Sequence, residues 1–358
     1  MNKFTITPEK NKKLQEYQNS IFYKTESKNS KSTYWNEHAD LVSVKYDNQN
    51  ISISGDSGFY IPPSNNFIEN ITKKFKRVFA DPTIIFRKIK EKYFKFPKMY
   101  SYEKVFDLVI NHASVSDPDL SPFRINHLKW KDNSDLFLSS KDVKRVYQSW
   151  SGRRMDEPIY LHYYYINIIK NYVKGIKVKR ILEIGAGNGN FPSILFHHLP
   201  NVSIYLVDLP EMIPVCFSYL STIYPNAKIN LPHEANYKNQ EFDIQFLTPS
   251  QLNLVKTDSI DLAINCHSFQ EMPQPQIKEY FSFLKRILRK GGYFFTANRI
   301  EKIPVGKNAY TTEQLDLPNR FHLYPWNPKS KIIIDEVSRF SRLVQLDGIG
   351  IRLEITNP

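Results

Sequence analysis

From Lys177 onward short apolar runs alternate with segments of helical spacing, and this rhythm constrains the fold more than any other feature of the chain. The runs are ILEIG (181–185), IYLVD (204–208), IQFL (244–247), IDLAIN (260–265) and YFFTAN (293–298), and the segments near 190–199, 211–224 and 274–290 suit crossover helices. Alternation of this kind predicts an α/β fold built on a doubly wound, Rossmann-like parallel sheet. At the far end, RLVQLDGIGIRLEI (342–355) sets two β-rich runs around Asp347-Gly348, a dipeptide that favours a tight antiparallel hairpin.

The 358 residues suffice for two domains, and the change of rhythm divides them at about 150. Residues 1–150 read as a mostly helical region that closes over a substrate or mediates self-association, and 151–358 as the ligand-binding domain. Residues 1 to about 60 are polar and irregular apart from a short strand at Asn50–Ser54. Phe67, Ile71, Phe75, Val78 and Phe79 recur at helical spacing, which predicts helix over 66–94, split at Pro82. Further helical patterns cover about 101–113, 140–150 and 157–174.

Two cysteines, Cys216 and Cys266, make neither a disulfide framework nor a zinc site of the paired type, which suits a reducing compartment. The polar start lacks the apolar core of a signal peptide. The greasiest stretch, Ile159 to Val173, is 15 residues long and contains His162, Asn167 and Lys170, too short and too polar to span a bilayer. A cytoplasmic location is the expectation. The net charge of +13 is partly local, with ten Lys or Arg and two acids between Lys73 and Lys98. We read it as the solvated face of amphipathic helices, with a surface for nucleic acid, anionic membrane or phosphorylated substrate as the competing reading.

The strongest chemical signal is Glu183-Ile184-Gly185-Ala186-Gly187-Asn188-Gly189-Asn190, directly after an apolar run. Glycines let the backbone turn sharply and approach a ligand closely. A dinucleotide fingerprint needs Gly or Ala where Asn190 stands, which argues against NAD or FAD. Three alternate glycines behind an acid suit S-adenosyl-L-methionine better: Glu183 holds its amino-acid end while Gly185, Ala186, Gly187 and Gly189 admit the methionine chain. Asp208 closes the run IYLVD, 19 residues after Gly189. A carboxylate there can accept the ribose hydroxyls beside Leu209, although Leu209-Pro210-Glu211 also reads as a helix start. Near Thr248, Ser250, Gln251 or backbone amides are the candidates for adenine recognition.

The run IDLAIN leads into Asn265-Cys266-His267-Ser268-Phe269-Gln270-Glu271-Met272. Ligands of open α/β sheets bind beyond the carboxyl ends of the strands, so Asn265 and Cys266 are cofactor candidates and His267 faces the transferred group. His267 and Glu271 are four apart, on one helical face if a helix begins at once. His267 is the candidate general base, with Glu271 or His322 of the insertion 299–331 as the next candidate. That insertion also carries Arg299, Tyr310, Asn319, Arg320, Tyr324 and Trp326, suited to an acceptor pocket. The cluster from Trp150 to Glu157 could close over the cofactor. No metal-ligand pattern is present.

Taken together, ILEIGAGNGNF, CHSFQEM and GGYFFTANR resemble the sugar O-methyltransferases of the nanchangmycin-biosynthesis type, within the class I S-adenosylmethionine-dependent methyltransferases. The resemblance covers about 150–358 and is clearest at 181–299. It implies a doubly wound sheet ending in an antiparallel hairpin, and methyl transfer to a hydroxyl of a sugar-containing small molecule or glycan precursor. It carries Glu183, Gly185, Gly187, Gly189 and Asp208 into the cofactor site, and His267 and Glu271 into the reacting end. The absence of Asn-Pro-Pro-Tyr argues against methylation of a base nitrogen. An RNA or protein acceptor docked on the basic half, or a cofactor-binding module without turnover, are the competing expectations.

Overall fold

A computed structural model describes residues 2–29, 43–47, 50–54, 101–111, 138–151, 157–235, 241–302, 319–338, 340 and 348–356. The N-terminal part contains β1 (Asn2–Thr5), α1 (Pro8–Asn19), α2 (Ile21–Asn29), β2 (Ser43–Asp47) and β3 (Asn50–Ser54). The strand expected at 50–54 is present, as the centre of an antiparallel sheet ordered β1-β3-β2. The stretch expected to be irregular is therefore ordered at these places. Its strands are too short to show alternation by themselves, and they are stabilised by burying Phe4, Ile51 and Ile53. α1 begins where Thr7 accepts a bond from the Lys10 amide at 3.3 Å and Pro8 supplies a helical φ.

Next come α3 (Tyr102–Asn111), α4 (Ser140–Ser151) and α5 (Glu157–Tyr172), in agreement with the helical spacing. The helix expected over 66–94 lies outside the described residues. α5 accounts for the greasiest stretch: Ile159, Tyr163, Tyr164, Tyr165 and Ile168 are all fully buried. A helix that is apolar nearly all round belongs inside a core. No helix among the described residues is long and apolar enough to cross a membrane.

From Arg180 the chain weaves β4 (Arg180–Ile184), α6 (Asn190–His198), β5 (Ser203–Val207), α7 (Ile213–Ile223), β6 (Ile229–Asn230), β7 (Ile244–Leu247), β8 (Ile260–Cys266), α8 (Gln274–Ile287) and β9 (Leu288–Arg299). The short pair β10 (Glu301–Lys302) and β11 (Asn319–Arg320) precedes β12 (Lys331–Val337) and β13 (Ile349–Ile355). The main sheet is ordered β12-β13-β9-β8-β4-β5-β7-β6. β4 to β9 pair in parallel, and β13 runs antiparallel between β9 and β12. This is the doubly wound sheet with an antiparallel end that the sequence predicts. One partner differs: β13 pairs with Lys331–Val337, so Asp347-Gly348 is not a two-residue connection between the paired strands. The β12 segment turns Ile334 into the core and carries Asp335, which meets Arg352 of β13 at 3.0 Å.

Alternate residues of the sheet serve two layers. Ile181, Ile204, Leu262 and Phe295 pack with α5, α6 and α7, while Leu182, Ala263 and Phe294 pack with Ile277, Phe283 and Ile287 of α8. Leu14 and Tyr17 of α1 belong to the first layer, so the N-terminal elements share one buried cluster with the sheet. Lys13 fastens α1 to the sheet edge, 2.6 Å from the Ile229 carbonyl and 2.9 Å from Glu234.

Candidate active site

Winding proceeds from β4 toward β7 on one side and resumes with β8 on the other, which opens a crevice at the carboxyl ends of these strands. A cavity of about 200 Å³ lies there, lined in part by Gly185, Gly187, Asp208, Cys266, His267 and Glu271. Sequence reading thus brings both the glycine loop and the His267 segment to one place.

The loop between β4 and α6 holds Gly185, Gly187 and Gly189 at φ of +82°, +56° and +87°. At Gly185 the requirement is also steric, because a Cβ would collide with the Ser268 side chain. At Gly187 no atom stands within 4 Å of where a Cβ would be, so the backbone faces open space beside the cavity. Ala186 is buried, and its carbonyl accepts the Gly189 amide at 3.1 Å.

Asp208, at the end of β5, accepts the Gly187 amide on one oxygen at 2.6 Å and the Leu209 amide on the other at 2.7 Å. It is therefore both a cavity wall and the strut that shapes the glycine loop. Burial raises its pKa from 3.8 to about 7; the two amides work against this rise, and Glu271 and Glu211 add to it. Glu183 is buried behind the loop, and burial together with Asp208 pushes its carboxyl well above the usual range. Its Oε2 has no hydrogen-bond partner among the described residues. Such an acceptor is costly to bury unless it keeps a proton or meets a donor.

Asn265 is fully buried and structural. Its amide donates to the Ile184 carbonyl at 3.0 Å, and its carbonyl accepts from Asn298 at 2.8 Å, tying the tips of β4, β8 and β9 together. Cys266 lines the cavity as a neutral thiol, its pKa raised by burial. Ser250 and Gln251 do not line it. Gln251 caps the six-residue 3₁₀ helix Pro249–Leu254, accepting the Thr248 amide at 3.1 Å and donating to the Pro232 carbonyl at 2.8 Å, and Ser250 donates to Glu26 of α2 at 2.7 Å. On this side Pro249, Leu209 and Met212 face the cavity.

His267 has φ of +63° and its amide bonds to the Ala297 carbonyl at 2.8 Å, so no helix starts at His267. Its Nε2 lies 3.0 Å from the Tyr165 hydroxyl of α5, and its ring also bonds to the Gln270 side chain. Burial, with Arg299 and Lys302 nearby, lowers its pKa to about 4, so the ring is neutral at pH 7. Glu271 lines the same cavity. It pairs with Lys302 of β10 at 3.1 Å. His322 is exposed in the turn after β11 and lies outside the cavity lining. Asn319 of the same insertion does support the site, donating to the Phe269 and Met272 carbonyls at 2.7 and 2.9 Å. Tyr324 and Trp326 pack against Phe281 instead of facing the cavity, and Tyr310 lies outside the described residues. Trp150 packs on His197 and Tyr224, and residues 152–156 of its cluster lie outside the described residues.

Sequence reasoning missed Met212, Met272, Gln276 and Tyr280, which complete the cavity wall. Gln276 and Tyr280 stand four apart on α8, a helical spacing visible in the sequence. Tyr165 carried no comparable signal.

No protein-family model matches the chain. It is 28% identical over 152 residues to a malonyl-[acyl-carrier protein] O-methyltransferase from Paenibacillus sp. (strain JDR-2), a stretch covering 42% of this chain and 47% of that protein. The chain thus spans about half the length of the curated relative it matches. Among solved structures it is similar to the N-methyltransferase NodS from Bradyrhizobium japonicum, with a TM-score of 0.38, 11% identity and coverage of 57% of this chain and 100% of that one. It is also similar to phosphoethanolamine N-methyltransferase 2 from Haemonchus contortus, with a TM-score of 0.38, 13% identity and coverage of 74% and 62%.

Proposed function

We propose that the chain is an S-adenosylmethionine-dependent O-methyltransferase whose cofactor lies in the crevice between β4, β5 and β8. The observation that carries this reading is the 2.6 Å bond from the Gly187 amide to Asp208, which joins the glycine loop and the ribose-type acid into one wall. The residues fit the cofactor. The unpartnered Oε2 of Glu183 suits an ammonium reached through the loop, and Asp208 keeps lone pairs for ribose hydroxyls. Leu209, Met212 and Pro249 offer an apolar slot for a purine ring. When bound, the cofactor supplies an electrophilic methyl group on sulfur.

The acceptor is an oxygen nucleophile presented at the His267 lip, and a sugar or glycan hydroxyl is the reading that the sequence motifs favour. His267 holds Tyr165 and Gln270 while its pKa is lowered to about 4, which makes it a positioning group and a weak base. That observation favours a second reading, a carboxylate oxygen, which is already deprotonated at neutral pH and needs no base. The similarity to a malonyl-[acyl-carrier protein] O-methyltransferase points the same way. The test is release of S-adenosylhomocysteine with neutral sugars, uronic acids and malonyl thioesters as acceptors. Turnover with neutral sugars supports the first reading and turnover confined to carboxylates the second. Absence of cofactor binding by calorimetry would overturn both.

A further inference from the structure

We propose a second ligand site, for a small phosphorylated anion, at the end of the main sheet opposite the candidate active site. A concavity of about 340 Å³ lies at the amino ends of β4, β8 and β9, lined in part by Lys179, Arg180, Lys256, Arg289 and Asp261. The seven residues of β8 span ~20 Å, so this place is well separated from the crevice at their carboxyl ends.

The arrangement is built around one buried acid. Asp261 is 5% exposed, and one of its oxygens accepts the amides of Lys179 and Arg180 at 2.7 and 2.8 Å. The other oxygen lies 2.7 Å from Arg289 Nε. A single carboxylate thereby positions three cationic residues around the hollow, and it neutralises only one of them. The turn bearing Lys256 is fastened as well: the amides of Asp258 and Ser259 bond to the carbonyls of Arg286 and Ile287 at 3.1 and 2.8 Å. Lys179, Arg180 and Lys256 have no carboxylate partner among the described residues. Counting Asp258 on the rim, four cations face two acids, a net excess of +2.

Bringing several unneutralised cations together is unfavourable without an anion, and two guanidinium groups beside ammonium groups match the oxygens of phosphate. The hollow is on the scale of a small-molecule site and is closed on one side by the sheet ends, which favours a compact mono- or diphosphate over an extended polymer.

Titration calorimetry of the full chain with inorganic phosphate and pyrophosphate tests this, with a short single-stranded RNA as a separate arm. Saturable one-to-one binding of pyrophosphate is expected. Arg180→Gln and Lys256→Gln should each weaken it about tenfold, the scale of a lost charge-assisted bond. Lys278→Gln, which removes an exposed charge from α8, should change it less than twofold. Melting temperatures near wild type identify folded variants. Non-saturable binding, equal loss in Lys278→Gln, or binding of RNA without pyrophosphate would overturn the proposal.

Discussion

Asp208 is the residue at which the proposed cofactor chemistry can be read from a pH profile. Its carboxylate is desolvated and near Glu271 and Glu211, so its pKa stands at about 7 despite the bonds from Gly187 and Leu209. A rise of about three units disfavours the anion by about 4 kcal/mol relative to water. Ribose hydroxyls donate best to the anion, so binding favours loss of the proton. Affinity should therefore fall as pH drops through 7, by up to tenfold per unit, whereas an ordinary aspartate would show no change above about pH 5. Between pH 8.5 and 5.5 the dissociation constant of S-adenosylhomocysteine should rise about thirtyfold in calorimetry. Asp208→Asn should bind about 1.5–3 kcal/mol more weakly at pH 8.5 and show a flat profile. In the cofactor-free protein the sign is the reverse for stability. The folded state holds a proton that the unfolded chain has released, so the Asp208 contribution declines as pH rises from about 4 to 7. Tight wild-type binding that stays constant down to pH 5.5 would refute the assignment of Asp208 to the ribose.

Gly187→Val should abolish cofactor binding in calorimetry with near-native circular dichroism, since it places a branched side chain at φ +56° beside the cavity. His267→Ala and Tyr165→Phe should both lower kcat with little change in cofactor affinity, because each breaks the 3.0 Å contact that holds the ring. Neither should remove a limb near pH 6.5 from the rate profile, as His267 titrates near 4; loss of such a limb would restore it as the base. Phe269→Ala removes a fully buried ring packed among Tyr280, Phe281 and Tyr324 and should cost about 3–5 kcal/mol in denaturant unfolding.

The core of the fold was legible because the parallel strands are apolar on both faces, so each stands out as a continuous run. β4, β5, β7 and β8 fall within a residue or two of those runs. Two kinds of element escaped. β1 and β2 are four and five residues long with mixed polarity, and only their pairing with β3 reveals an inward face. β12 reads KIIIDEV, a run no less β-prone than the one near 342–346, and local propensity cannot decide which of two such runs will pair with β13.

The same division separates the two ends of the candidate site. Glycines at positive φ and an acid at a strand tip are local necessities, so Gly185, Gly187 and Asp208, which line the cavity, could be placed from spacing alone, whereas Gly189 abuts Cys216 and Tyr219 of α7. The His267 end depends on partners far away in sequence. Its hydrogen bond comes from Tyr165, 102 positions upstream, and its backbone is held by Ala297. The i,i+4 argument for Glu271 assumed a helix, but His267 adopts a left-handed conformation and the next residues make a single 3₁₀ turn. That turn carries Glu271 to Lys302, an ion-pair partner from the insertion. Ser250 and Gln251 are absent from the cavity lining for a related reason. Thr248-Pro249-Ser250-Gln251 has the spacing of a capping box, and a side chain that completes its own turn's hydrogen bonds has little left for a ligand. On that side the cavity wall is apolar, made by Leu209, Met212 and Pro249.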